Sequence, residues 1–273
     1  MQVNHTLLSF RTIGSAGTPV VLVHDSYGDL DDWGAQLGAF GATHRVLVYS
    51  RRYHPPNPPQ DDGQVYSPEL HAEDLAALLV ALGLAPAHVV GSSYGAYTAL
   101  QLTRDHPQLV RSLVLAEPPI VSLLTGSEEG DAARRAFYTN ALDPARAAFA
   151  RGDSVTGLRY FYDGTAGRGA FDRLPAATRA DLLAHSFEMH HEMLAERSAY
   201  YPTVSCAELG RITTPVLIVR GERSPRMFQL ISDELARCLQ SDTTVVIPGA
   251  AHPPQAGNFN YFNQVVARFI MTH

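Results

Sequence analysis

Residues Gly91-Ser92-Ser93-Tyr94-Gly95 lie between an apolar run, His88-Val89-Val90, and the helix-like stretch Ala96-Tyr97-Thr98-Ala99-Leu100-Gln101-Leu102. No other segment limits the possible folds as strongly. A Gly-x-Ser-x-Gly pentapeptide in that setting spells a strand, a tight turn and a helix, the local architecture of a nucleophile elbow. On such a turn the Ser93 hydroxyl is lifted clear of the backbone, and the N–H groups opening the next helix face any negative charge that forms beside it. The flanking glycines let neighbouring backbone come close. The adjacent hydroxyl, Ser92, holds a variable position of the pentapeptide and is expected to pack or hydrogen-bond locally.

A serine hydroxyl is a poor nucleophile at neutral pH and needs a base within hydrogen-bond reach, itself oriented by a carboxylate. Among 12 histidines, His252 stands out. It follows the strand-like Thr244-Val245-Val246-Ile247 and the turn Pro248-Gly249-Ala250-Ala251, and precedes a helical pattern running from Phe262 to Phe269. A loop at the carboxyl end of a strand is where an open parallel sheet gathers its reactive groups. Elsewhere apolar strand-like runs alternate with helical patterns, which predicts a parallel sheet wrapped by helices. One helix is fully punctuated: Ser67 caps it, Pro68 and Glu69 suit its first turn, Leu75, Leu78, Leu79 and Leu82 share a face, and Gly83 ends it.

Taken in order, Val20-Val21-Leu22-Val23-His24 with Gly28 and Trp33, then Val46 to Arg52, the elbow, Pro215 to Glu222 and the His252 turn resemble the α/β-hydrolase superfamily along nearly the whole chain. The resemblance implies an α/β fold, a mostly parallel twisted sheet flanked by helices, with a helical cap inserted before the penultimate strand. On that basis residues 1–119 and 212–273 are expected to form the core and 120–211 the cap, where the strand pattern vanishes and Ala, Arg and Leu dominate. Short helices are expected near 131–140, 144–151, 153–162 and 175–195. The resemblance further implies an oxyanion hole built from the backbone N–H groups of Tyr94 and Ser26.

Two departures from the family pattern are informative. The position that usually carries the catalytic acid is Ser224, which cannot hold an imidazolium by charge. A subset that includes the haloalkane dehalogenases takes its acid from the end of the preceding strand, and here Arg111-Ser112-Leu113-Val114-Leu115-Ala116 leads into Glu117. Glu117 is therefore the expected acid and Glu222 the reserve. The second departure is Asp25, where glycine is expected. Its carboxylate is expected to face solvent or pair with Arg51 or Arg52; the other reading is that Asp25, with Tyr27, meets the substrate and supports a specialised reaction.

Composition bounds the rest. A chain of 273 residues with 45% hydrophobic side chains can bury one substantial core, and a formal charge of −6 argues against nucleic acid or an anionic membrane as partner. Every one of the 21 basic residues is arginine, a bias of GC-rich bacterial coding. The first ten residues lack the basic start and apolar stretch of a signal peptide, and Cys206 and Cys238 are too few and too far apart to suggest a disulfide framework or zinc site, so the cytoplasm is the expected compartment. No metal is expected at His185, Glu188, His190, His191 and Glu192, which lack a His-Glu-x-x-His spacing, and no phosphate loop or dinucleotide fingerprint calls for a cofactor. The cap carries many aromatic residues; most are expected in its own core, while some favour a fairly hydrophobic small-molecule substrate. The expectation is a monomeric or homodimeric serine hydrolase of carboxylic esters or lactones. Thioester, amide and carbon–carbon cleavage, a non-hydrolytic cyclase or lyase, and a binding protein without turnover stay open as alternatives.

Overall fold

Side chains along a strand alternate between the two faces of a sheet, and the apolar runs use this to feed two cores. The structure, a computed structural model describing residues 1–240 and 243–273, has one seven-stranded sheet in the order β3-β5-β4-β6-β7-β8-β9. These are β3 (Phe10–Ile13), β4 (Pro19–Val23), β5 (Arg45–Tyr49), β6 (Ala87–Ser92), β7 (Val110–Ala116), β8 (Val216–Gly221) and β9 (Thr244–Ile247); β1 (Gln2–Val3) and β2 (Thr6–Leu7) pair separately. Only β3 runs antiparallel to its neighbour in the large sheet.

Val20, Leu22, Val46, Val48, Val90 and Val114 point to one face and pack with Leu37 and Phe40 of α1 (Gly34–Gly41) and with Phe262, Val266 and Phe269 of α14 (Phe259–Met271). Val21, Val23, Leu47, Val89, Leu113 and Leu115 point to the other, against α2 (Pro68–Ala81), α3 (Tyr94–Asp105) and α12 (Arg226–Leu239). Covered on both faces, β4 and β6 are buried at every position, which is why they read as continuous apolar runs rather than alternating ones. The punctuation of α2 operates as expected: Ser67 Oγ accepts the Leu70 N–H at 3.1 Å, and Gly83 follows the helix at φ 62°.

Between β7 and β8 the chain is helical: α4 (Glu128–Phe137), α5 (Asp143–Ala150), α6 (Ser154–Ala166), α7 (Ala170–Arg173), α8 (Ala176–Ala184), α9 (Ser186–Leu194), α10 (Arg197–Tyr200) and α11 (Cys206–Leu209). A single π turn, Tyr138–Leu142, joins α4 to α5. The stretch expected as one helix over 175–195 is two, interrupted at His185, whose imidazole turns inward onto the Glu188 carboxylate. The short α13 (Pro254–Gly257) follows β9. Among the described residues, no helix is long and apolar enough to cross a membrane.

The cysteine expectation needs correction. Cys206 opens α11 and Cys238 lies near the end of α12; the packing of these helices brings their Cα atoms to 4.8 Å, and the two sulfurs are bonded. Sequence distance was a poor guide because a helical excursion returns to the sheet beside the helix that follows the next strand. The bond withdraws cysteine usage as an argument for a reducing compartment, since disulfides persist mainly in oxidising ones. Protein unfolded without reductant is expected to show no thiol by a colorimetric reagent and two after reduction. Replacing both cysteines by serine should lower unfolding stability by about 3 kcal/mol in denaturant titration, the scale for closing a loop of this size.

Candidate active site

Three strands deliver three side chains to one point. Ser93 follows β6 at φ 49° and ψ −119°, and Glu117 follows β7 at φ 52°. Non-glycine residues held at positive φ cost on the order of 1–3 kcal/mol and persist only where surrounding structure dictates them. At Ser93 the surroundings are backbone: a Cβ on Gly95 would lie 2.2 Å from the His24 carbonyl oxygen, and one on Gly91 would lie 2.5 Å from Ala96 Cα. Only glycine permits that approach.

His252 Nε2 lies 3.1 Å from Ser93 Oγ, and its Nδ1 lies 2.7 Å from Glu117 Oε2. The carboxylate accepts the Nδ1 proton, which leaves Nε2 as the acceptor for the serine hydroxyl. The other carboxylate oxygen, Oε1, accepts the Gly221 N–H at 2.8 Å, and the Glu117 N–H is bonded to the Val219 carbonyl at 3.2 Å. Glu117 is fully buried, and the Phe228 ring lies parallel to the imidazole with centroids 4.0 Å apart. The reserve acid lies elsewhere: Glu222 is exposed and accepts the Gly249 N–H at 2.7 Å, closing the turn ahead of His252. Ser224, at the usual acid position, is buried with no hydrogen bond from its hydroxyl. Ser92 is also buried, and its Oγ accepts from Gln255 Nε2 at 2.7 Å, tying the elbow to α13 just past His252.

Tyr94 is the first residue of α3, so its N–H belongs to the opening donors that have no partner within the helix. Ser26 lies in the loop after β4 and is buried. Asp25 does not pair with either arginine through its carboxylate. Arg52 turns to Asp74 on α2, bonded by Nε at 2.8 Å and Nη2 at 2.7 Å, while Arg51 Nη2 donates to the Asp25 backbone carbonyl at 2.6 Å. The Asp25 carboxylate accepts the Tyr27 N–H at 3.3 Å. Burial holds its carboxyl above the usual range, against the pull of His252 and Arg51, which favours the neutral form. Tyr27 reaches across to α6, its hydroxyl 2.8 Å from Thr165 Oγ1 and its ring against Phe161 and Tyr162.

Most aromatic residues of the helical segment, among them Phe137, Phe149, Phe161, Phe171 and Tyr200, are buried in its packing with the core. The His/Glu cluster of the same segment is divided: His190 is exposed, His191 stacks on Tyr53, and Glu192 is buried against Tyr66 and Tyr200. His54, His185 and Glu188 do bring possible ligand atoms within 4.8 Å of one another. The donor set is already engaged, with His54 Nδ1 at 2.8 Å from the Gly28 carbonyl and Nε2 at 3.1 Å from the Tyr66 hydroxyl, and the nearby Arg51 charge opposes a cation. Sequence reasoning missed Phe228, Gln255, His24 and the roles of Arg51 and Glu192. None carries a local motif; each matters only through a contact between distant segments.

A model of a family described as "Alpha/beta hydrolase family" matches residues 20–260. The chain is 32% identical over 128 residues to "Uncharacterized hydrolase YraK" of Bacillus subtilis (strain 168), an alignment spanning 47% of each. It thus covers under half the length of that curated relative. Among solved structures, the enol-lactonase from Burkholderia xenovorans LB400 superposes with TM-score 0.77 at 21% identity, covering 98% of both chains. Est816, described as an N-acyl homoserine lactone degrading enzyme, gives TM-score 0.72 at 23% identity, again over 98% of both. Likeness at that identity concerns the fold.

The elbow packing makes a direct prediction. Gly95→Ala forces a Cβ into the carbonyls of Val23 and His24, and should lower stability by more than about 3 kcal/mol in denaturant titration or leave the protein insoluble. Gly83→Ala, where a Cβ meets nothing within 4 Å, should cost only the strain of positive φ, about 1 kcal/mol.

Proposed function

This chain belongs to the alpha/beta hydrolase family, and on that premise we propose that it is a serine hydrolase that cleaves a carboxylic ester or lactone of a small molecule through an acyl-enzyme. The observation that carries the reading is the continuous hydrogen-bonded chain Ser93–His252–Glu117, with Nε2 on the serine side and Nδ1 on the carboxylate side. Ser93 Oγ attacks the carbonyl carbon while His252 Nε2 takes its proton. The tetrahedral oxyanion is held by the N–H groups of Tyr94 and Ser26, and its collapse expels the alcohol, which leaves with the proton from His252. Water, deprotonated by the same nitrogen, then releases the acid and restores Ser93. Glu117 keeps the imidazole in the required tautomer and stabilises its cationic form. The helices between Glu117 and β8 act as a cap that excludes water from this step.

Asp25 enters as a substrate contact. An ionised carboxylate beside the oxyanion would oppose the forming charge; burial raises the Asp25 carboxyl above the usual range and so favours the protonated form, which donates a hydrogen bond. Asp25 and Tyr27 then face the acyl portion, and a lactone, the substrate class of the enol-lactonase and of the N-acyl homoserine lactone degrading Est816, offers a ring oxygen or a second carbonyl for that donor.

A fluorophosphonate probe should label the protein, and Ser93→Ala should abolish both labelling and turnover of nitrophenyl acetate while Ser92→Ala retains much of each. Glu117→Gln should lower kcat by up to about 10⁴-fold, by analogy with the corresponding change in a serine protease, and Glu222→Gln by little. Equal losses at the two glutamates would sink the assignment. Asp25→Gly should spare nitrophenyl acetate hydrolysis and lower turnover of a lactone panel by about tenfold, the worth of one hydrogen bond; equal retention of both removes Asp25 from the site.

A further inference from the structure

The Asp25–Ser26 peptide is gripped by groups that come from distant parts of the chain. Its carbonyl accepts Arg51 Nη2 at 2.6 Å and lies 2.9 Å from His24 Nδ1. His24 Nε2 accepts the Arg51 backbone N–H at 2.9 Å, so Nδ1 carries the proton and donates; burial and the Arg51 charge keep this imidazole neutral. A trans peptide is planar, with its C=O and N–H pointing in opposite directions. Fixing the Asp25 carbonyl therefore fixes the direction of the Ser26 N–H. A guanidinium on the carbonyl also polarises the amide and strengthens that N–H as a donor.

Behind Arg51 lies Glu192 of α9, which is fully buried. Glu192 accepts the Tyr66 hydroxyl at 2.9 Å and the Tyr200 hydroxyl. Tyr66 links it back to the peptide, because the Tyr66 oxygen accepts Arg51 Nη1 at 2.8 Å. Glu192, Tyr66 and Arg51 thus form a hydrogen-bonded chain that ends on the Asp25 carbonyl, with the cation supplied by the residues after β5 and the carboxylate by the helical segment. Buried ion pairs are a poor way to add stability, and their best-attested use is to fix one arrangement among several.

We propose that Arg51 and Glu192 are positioning residues that aim the Ser26 N–H at the developing oxyanion, and that Glu192 makes this aim depend on the helical segment being seated. The inference rests on the reading of Ser93 as nucleophile and Ser26 as oxyanion donor. It adds a dependence on pH. Burial pushes the Glu192 carboxyl up to about 7, against the pull of Arg51 and of the hydroxyls of Tyr200, Ser26 and Tyr66. Tyr27, Tyr94 and Tyr201 face it as well, and the cation acting on it is Arg51. Ionised, Glu192 accepts the Tyr66 and Tyr200 hydroxyls; protonated, it must donate in one direction and the chain to Arg51 loosens. The grip is therefore complete above about pH 7 and lost as pH falls through that value.

Glu192→Gln imitates the protonated state and separates aim from mere folding. On nitrophenyl acetate at pH 8.5 the variant should lose about tenfold in kcat with KM changed less than about twofold, a fraction of the cost of deleting an oxyanion donor. By about pH 6, where wild-type Glu192 is itself protonated, the two enzymes should converge to within about twofold. Tyr66→Phe removes the hydroxyl that links Glu192 to Arg51, so its loss should not add to that of Glu192→Gln in the double variant. A wild-type-to-variant ratio equal at both pH values, a loss carried by KM, or additive losses in the double variant each overturn the proposal while leaving Ser93 as nucleophile. A Glu192→Gln protein that is thermally altered yet unchanged in kcat overturns it as well. Failure of the wild type to react with fluorophosphonate instead overturns the serine hydrolase reading and this inference together.

Discussion

The close approach of Gly95 to the carbonyls of Val23 and His24 is the contact on which the working end of the molecule depends. Neighbouring parallel strands already place Val23 opposite Gly91 in the ladder. The missing side chains at Gly91 and Gly95 then let the first turn of α3 settle directly on the end of β4, which fixes the serine turn and the loop of Asp25 and Ser26 relative to each other. The unfavourable φ at Ser93 survives because the strand before it, the helix after it and the loop beside it leave no alternative. Precision in the site comes from backbone meeting backbone, where rotamers cannot blur the geometry.

Arg51 and Arg52 show how one strand end serves two purposes. Both follow β5, where the chain enters a turn closed by the His54 N–H on the Arg51 carbonyl at 3.0 Å. Arg52 fastens α2 through Asp74 and the loop through Asp62, while Arg51 turns under the loop after β4. A buried guanidinium needs acceptors, and for Arg51 they are a carbonyl and a tyrosine oxygen, with the balancing carboxylate one step further away at Glu192. The interior beneath the loop of Asp25 and Ser26 is accordingly polar, lined by His24, His54, His71, Tyr66, Tyr94 and Glu192, where a plain hydrocarbon core would have left the loop unanchored.

The sequence disclosed what depends on local order. Strands β4 to β9, the capped helix α2 and the elbow each declare themselves within a dozen residues, through apolar periodicity, punctuation and glycine spacing. Glu117 was singled out by resemblance to one subset of the family and by its place at a strand end, a local feature, although the groups it touches, Gly221 and His252, are far along the chain. The N-terminal strands β1 to β3 were not: short and largely exposed edge elements carry little hydrophobic signal. The break at His185 was hidden because Ala, Leu and Glu on both sides favour helix, and what ends α8 is an inward-turned side chain. The disulfide and the hydrogen-bonded chain from Arg51 to Glu192 were hidden for a common reason, since each forms only after the helical segment has packed, and pairing between remote residues leaves no trace in spacing.

Glu117 has a further consequence for how this architecture can change over time. It is both the last residue before the helical segment departs and the carboxylate that faces His252, yet its backbone N–H, its two carboxylate oxygens and its φ are all fixed by residues of the sheet and the loops beyond it. The chain leaving at Pro118 is attached to a post that is braced from behind. Lengthening, trimming or exchanging helices of that segment, the position of Glu192 apart, puts no torque on the carboxylate, so they are free to drift in shape and chemistry while Ser93, His252 and Glu117 keep their alignment.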